Sequence, residues 1–172
     1  MQVETVNLTQ KDRKAVLAQM IEKGGGNLTK CIQCGACASV CPVAITGLPL
    51  YCKRLFRFLQ TGHLEEILDD ASSWACVACN RCTEICPRGV DPFHVVFAFR
   101  RIQAQELAIP ASATTSLMNF YTTGHAVYGD ASELRQKVGL DPVPPSTLKY
   151  PEALKELQTL LDESPMAELG LF

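Results

Sequence analysis

The sequence predicts a mainly α-helical domain folded around two cysteine-lined loops, followed by a helical C-terminal extension. Three observations lead there. Eight of the nine cysteines in the 172 residues fall into two runs. Cys31-Ile32-Gln33-Cys34-Gly35-Ala36-Cys37-Ala38-Ser39-Val40-Cys41-Pro42 and Cys76-Val77-Ala78-Cys79-Asn80-Arg81-Cys82-Thr83-Glu84-Ile85-Cys86-Pro87 both read C-x2-C-x2-C-x3-C-P. The residues between the runs carry apolar side chains at helical spacing, where a βαββαβ fold would show alternating strands.

The cysteine spacing has a chemical cause. One face of an iron–sulfur cube needs three thiolates converging within a few ångströms, and cysteines three apart on a wrapped loop supply them. The pattern is the cluster-binding run of bacterial-type two-cluster ferredoxins, in which the last cysteine of each run ligates the other cluster. By that rule one [4Fe–4S] cluster takes Cys31, Cys34, Cys37 and Cys86, and the second takes Cys76, Cys79, Cys82 and Cys41. Pro42 and Pro87 fix φ and lack an N–H, so the chain turns away after each run. Structural zinc uses two ligand pairs and has no need of a third evenly spaced cysteine. A disulfide framework suits short secreted chains, and the N-terminus reads as no signal peptide. The helical insert then makes the domain an α-helical ferredoxin. The branched pairs Ile32/Val77 and Val40/Ile85 are expected to form an apolar lid over each cube.

The elements follow in order. Residues 1–8 read as an arm. Thr9 caps a helix from Gln10 to Lys23 with Val16, Leu17, Met20 and Ile21 on one stripe, and Gly24-Gly25-Gly26 ends it. No P-loop lysine with Ser/Thr follows those glycines, so they are a flexible entry to the first run. In the insert, Leu48, Cys52, Leu55, Phe56 and Leu59 mark a helix closed by Gly62. A second short helix carries Leu64, Ile67, Leu68 and Ala71, with Glu65 and Glu66 in its first turn. Beyond the second run Asp91 caps a helix, Pro92 takes its first position, and Phe93–Phe99 is apolar nearly all round, which indicates central burial. Pro110 breaks it. A helix with Leu117, Phe120 and Tyr121 stops at Gly124. Asp130 with Glu133 starts a short helix ending at Gly139. Asp141-Pro142-Val143-Pro144-Pro145 is an extended linker. The last helix runs from Pro151 to about Asp162 with Leu154, Leu157 and Leu161 on one face. The expected organisation is an N-terminal arm and helix over 1–27, the ferredoxin domain over 28–108, and a C-terminal extension over 109–172 for docking onto a partner.

Composition excludes several classes. A net charge of −2 gives no bulk attraction to nucleic acid. No apolar run approaches the roughly 20 residues of a membrane span. Thiols in this number need a reducing compartment, hence the cytoplasm. No Ser/His/Asp set or carboxylate pair stands near the cysteines, so no catalytic residue is assigned. Cys52, the odd cysteine, reads as a small buried hydrophobe. His63 is expected in solvent, His94 is not needed as a ligand, and His125 sits in a turn. Trp74 is expected to pack against a helix. Lys53, Arg54 and Arg57 form a small basic face. Arg81 and Arg88 lie beside the second run, where they would raise its potential.

The paired runs and their helical insert resemble the α-helical ferredoxin domain of the iron–sulfur proteins in succinate dehydrogenase and fumarate reductase. That reading makes the chain a relay for such a dehydrogenase. The resemblance to the C subunits of heterodisulfide reductases extends further. It includes Lys30–Cys37 and Trp74–Cys79, then Thr123-Gly124-His125-Ala126-Val127, Leu134-Arg135-Gln136-Lys137-Val138-Gly139-Leu140, Pro144-Pro145-Ser146-Thr147 and Tyr150-Pro151-Glu152-Ala153-Leu154. It implies an electron-transfer component of the CoB–CoM heterodisulfide enzyme of methanogenesis. The flavin-containing A subunit would be the donor. The B subunit, with its CCG motifs, would be the acceptor and disulfide-cleaving partner. A hydrogenase or formate dehydrogenase would stand upstream in a larger complex. This chain has no adjacent Cys-Cys pair, so the disulfide-cleaving site lies elsewhere.

Overall fold

A computed structural model describes residues 12–47, 52–127 and 131–164, with Ala167 and Gly170. The expected arm, the Thr9 cap, Leu48 and Asp130 lie outside them. The chain forms two compact units, Met1–Ile109 and Pro110–Phe172. No strand occurs among the described residues, and none of their helices is long and apolar enough to cross a membrane.

The first unit is built on three helices: α1 (Arg13–Glu22), α4 (Cys52–Thr61) and α6 (Pro92–Gln105). Two very short helices, α2 (Ala36–Ser39) and α3 (Pro42–Ile45), lie in the first run and just after it, and α5 (Arg81–Glu84) lies in the second. The first helix starts later than the sequence suggested. Asp12 accepts from the N–H groups of Lys14 and Ala15, each at 3.0 Å, so the cap is an aspartate next to Arg13. The triple glycine ends α1 as expected. Gly24 takes φ 93°, and Gly25 N–H donates back to the Met20 carbonyl at 2.7 Å.

α6 is the central element. Val95, Val96, Ala98, Phe99 and Ile102 are buried in one cluster with Val16 and Met20 of α1 and Cys52, Leu55, Phe56 and Leu59 of α4. Burying side chains of this size stabilises by roughly 1.5–3 kcal/mol each. Val16 and Met20 of α1 thus pack into the same core as α4 and α6.

The second insert helix does not form. Glu65–Ile67 and Ala71–Ala75 are separate 3-10 turns. The reason is a polar clamp that holds carbonyls in this stretch from outside. Gln103 of α6, fully buried, donates from Nε2 to the carbonyls of Leu68 (2.7 Å) and Asp70 (3.0 Å), and accepts from Ser73 Oγ at 2.6 Å. His63, expected in solvent, is 2% exposed. The Gly62 turn folds it inward, its Nδ1 within 2.9 Å of Thr61 Oγ1 and its ring edge-on to Phe58.

The second unit holds α7 (Ala111–Thr123), α8 (Ser132–Lys137) and α9 (Pro151–Asp162). Gly124 ends α7 at φ 74°. α7 and α9 are joined by polar contacts: Gln158 Nε2 donates to the Tyr121 carbonyl at 3.1 Å, and Tyr121 OH donates to Asp162 Oδ1 at 3.1 Å. The proline-rich residues 141–145 carry no helix, as their composition dictates. No described residue of this unit is buried.

Gly62 tests the join between α4 and α1. It sits at φ 85°, and a Cβ there would lie 2.7 Å from Arg13 N and 2.8 Å from Arg13 Cα. Backbone cannot swing aside as a side chain can. Gly62→Ala should destabilise the chain by roughly 2–4 kcal/mol, read as a lower thermal midpoint. Gly26→Ala, whose Cβ would meet only Ile21 side-chain atoms at 3.7 and 4.0 Å, should stay near the parent.

Candidate iron–sulfur centres

The two runs fold as copies of one another. A 3-10 turn leads into each, Gly26–Lys30 before Cys31 and Ala71–Ala75 before Cys76. The third residue of each run is left-handed, Gln33 at φ 60° and Ala78 at 57°, and so is the fifth, Gly35 at 86° and Asn80 at 61°. Glycine and asparagine enter that region readily. Gln33 and Ala78 do so at a cost, which a loop wrapped tightly enough to turn three thiols inward imposes. The short helices α2 and α5 then carry the third cysteine of each run, Cys37 and Cys82.

Two cavities result. The first is walled by Cys31, Cys34 and Cys37 together with Cys86 of the other run. The second is walled by Cys76, Cys79 and Cys82 together with Cys41. Each therefore collects three cysteines from its own run and the last one from its partner. Val90 N–H donates to Cys86 Sγ at 3.4 Å. Cys34 and Cys79, again equivalent, are the exposed members. The thiols feel one another. Burial first, then the charges of Cys31 and Cys82, push Cys37 up to about 11. Cys82 is raised by burial and then by Cys76. α2 and α5, which carry Cys37 and Cys82, pack against each other, so the two cavities are neighbours. A donor set of four thiols per cavity, with apolar walls, fits a [4Fe–4S] cube and the soft-ligand preference of iron–sulfur chemistry.

Asp91 joins the second run to α6. It accepts from Thr83 Oγ1 at 2.8 Å and contacts His94 Nδ1 at 2.6 Å. Burial works against its carboxylate, but those two hydrogen bonds outweigh it and hold the pKa below the ordinary range. His94 is thus committed to Asp91 and stands apart from both cavity walls.

A 4Fe-4S dicluster domain family matches residues 27–90. A protein of Archaeoglobus profundus described as like the heterodisulfide reductase C subunit is 51% identical over 92% of this chain and 84% of its own. The C subunit of the H(2):CoB-CoM heterodisulfide,ferredoxin reductase of Methanothermobacter thermautotrophicus is 36% identical over 85% and 80%. That of the ferredoxin/F(420)H(2)-dependent CoB-CoM heterodisulfide reductase of Methanosarcina acetivorans is 34% identical over 89% and 95%. The chain belongs to the family of heterodisulfide reductase C subunits. It is an iron–sulfur protein with two [4Fe–4S] clusters.

Several side chains of this family member stand elsewhere than the sequence suggested. Ile32 and Val77 do line the first and second cavities, but they are 60% and 64% exposed, and Val40 and Ile85 are on neither wall. The expected apolar cover is therefore met by one side chain per cavity, Ile32 at the first and Val77 at the second. Arg88, assigned to the second run's cluster by sequence position, borders the first cavity with Lys53, because its neighbour Cys86 belongs there. Arg81 is on neither wall. Cys52 is 3% exposed, and it also borders the second cavity. Burial, then the charges of the nearby cysteines, push its thiol far above the usual range, so it stays protonated. Trp74 packs under the guanidinium of Arg100, 5.4 Å from its ring centre.

Sequence reasoning missed Gln60, Arg100 and Gln103. The signal was available for the last two: long polar side chains in the middle of a helix otherwise apolar nearly all round. A buried polar group there must have partners, and backbone carbonyls of the loops are those partners.

The raised Cys37 has a consequence for assembly. Iron must displace a proton from each thiol it takes. Reconstitution of iron-free protein should therefore speed up as pH rises from neutral to alkaline, read as the growth of cluster absorbance.

Proposed function

We propose that this chain is the electron relay of a cytoplasmic heterodisulfide reductase complex. It takes single electrons from the flavin-containing A subunit and passes them to the CCG-motif B subunit, which reduces the CoM-S-S-CoB heterodisulfide in methanogenesis. Cys31, Cys34, Cys37 and Cys86 hold one cluster; Cys76, Cys79, Cys82 and Cys41 hold the other. When bound, each cluster supplies a one-electron redox couple. Heterodisulfide reduction consumes two electrons, so the relay works twice per turnover.

The observation that carries this reading is the pair of adjacent four-cysteine cavities, each with one exposed cysteine. Two neighbouring redox sites open at separate places suit a chain that receives at one edge and delivers at the other. The chain's own residues do the remaining work. The core of α1, α4 and α6 fixes both loops, and apolar walls keep water from most of each cavity. The names of the relatives support the assembly: two are C subunits of CoB-CoM heterodisulfide reductases, and the third is described as like such a subunit. The upstream donor on this reading is a hydrogenase or formate dehydrogenase joined through the flavin-containing component.

The second unit serves docking in this reading. It buries none of its described residues and leaves Leu134, Val138 and Leu160 66%, 71% and 67% exposed. A helical segment so short of core is stabilised when a partner covers its apolar side chains.

Purification of the complex under anaerobic native conditions, followed by mass spectrometry, tests the assembly. A CCG-motif protein and a large flavoprotein should co-purify; a succinate-type flavoprotein with a membrane anchor in their place would reject the reading. Replacing Leu134 and Val138 with Glu should abolish co-purification with iron content unchanged. The ligand assignment has its own test. Cys86→Ser should damage the cluster of the first run, and Cys41→Ser that of the second, seen as loss of one of two electron paramagnetic resonance signals. If each variant instead loses its own run's cluster, the crossed pairing is wrong.

A further inference from the structure

The two halves match in backbone and differ in what clamps them. Behind the first run, Gln60 of α4 donates from Nε2 to the carbonyls of Leu28 (3.1 Å) and Cys31 (2.8 Å). Behind the second, the positions equivalent to Leu28 and Cys31 are Ser73 and Cys76. Their carbonyls are held by Arg100 of α6, Nε to Ser73 at 2.8 Å and Nη2 to Cys76 at 2.9 Å. The same two carbonyls are thus fastened by a neutral amide in one copy and by a cation in the other.

A guanidinium is not required for the clamp, since an amide performs it next door. What arginine adds is a fixed positive charge. It is half-buried, with Phe97 and Trp74 rings 4.6 and 5.4 Å from its Cζ. Guanidinium stays protonated throughout the physiological pH range. Lys53 and Arg88 border the first cavity, and Arg13 and Arg57 line the cleft that holds Cys31 and Gln60, but all four are exposed, where water and salt screen them.

We propose that Arg100 is a positioning residue that raises the reduction potential of the second cluster, while Gln60 gives the first cluster the same clamp without the charge. Reduction adds one electron and one negative charge to a cluster, with no bond broken. A cation held behind Cys76, in a site partly closed to water, favours that reduced state. An electron moving from the first cluster to the second leaves the first oxidised by one and the second reduced by one, and Arg100 favours that direction. The inference rests on the ligand assignment proposed above.

The test uses the full chain with both clusters loaded and reads both midpoint potentials by titration followed with electron paramagnetic resonance. Arg100→Gln should lower one midpoint by about tenfold in the reduction equilibrium, ~59 mV for one electron, and leave the other in place. Gln60→Arg should raise the other midpoint; Gln60 borders an open cleft with Thr29 and Thr61, which leaves room for the longer side chain. Arg100→Lys keeps the charge but cannot reproduce the planar two-carbonyl fork. It should keep the parent midpoint even where iron content falls. An unmoved midpoint in both Arg100→Gln and Gln60→Arg overturns the inference and leaves the ligand assignment standing. An Arg100→Lys midpoint as low as that of Arg100→Gln also overturns it, and reduces Arg100 to a clamp. If Arg100→Gln and Gln60→Arg move the same midpoint, the assignment of the runs to separate clusters is what fails.

Discussion

Three thiols can face one cube only if the loop that carries them is bent more tightly than ordinary L-residues prefer. That constraint runs through the whole first unit. It places Gln33 and Ala78 in the left-handed region beside the more tolerant Gly35 and Asn80. A strained loop persists only where its surroundings over-determine it. Here the surroundings are the 3-10 turn before each run, the short helix within it, and the side-chain clamp on the carbonyl of its first cysteine. Those clamps come from α4 and α6, so the helices must be rigid, and the buried cluster of Phe56, Phe99, Met20 and Ile102 makes them so.

Duplication explains the plan and divergence explains its use. Both runs repeat the same turn, the same left-handed positions and the same short helix. The helices behind them do not repeat. α4 ends soon after Gln60, while α6 runs from Pro92 through the middle of the core and presents Arg100 and Gln103 to the second loop. One copy is therefore held by an amide and the other by a half-buried guanidinium with a second amide alongside. On the proposed reading as a relay, two centres alike in ligation and unlike in potential would serve it, and changing the clamp rather than the ligands allows both.

Much of this was legible from sequence because local chemistry dictated it. The cysteine spacing announced the clusters, the Cys52–Leu59 stripe announced α4, Asp91-Pro92 announced the start of α6, and glycines announced the ends of α4 and α7. The parts that were not legible depend on contacts between distant segments. Nothing in Leu64–Ala71 says that Gln103 will hold its carbonyls and keep it from becoming a helix. Nothing near His63 says that the Gly62 turn will fold the ring inward. Arg88 follows the second run in sequence but borders the first cavity, because Cys86 crosses over and carries its neighbours with it. Proximity along the chain is a poor guide wherever one run reaches into the other's cavity.

That crossing also decides how surface charge should be read. Counting cations by cavity gives the first one Lys53 and Arg88, which suggests the more positive site. Counting by dielectric reverses the order. An exposed ammonium or guanidinium acts partly through water, and its pull on a charge weakens as the effective dielectric rises. Salt diminishes the exposed pair further and reaches the half-buried cation least. Arg100 is enclosed by Trp74 and Phe97 on its faces and fastened to two carbonyls at its edge, so its charge can neither turn away nor be hydrated freely. On the proposed reading a single cation in that position outweighs the exposed ones, and the aromatic pair around it is part of the device.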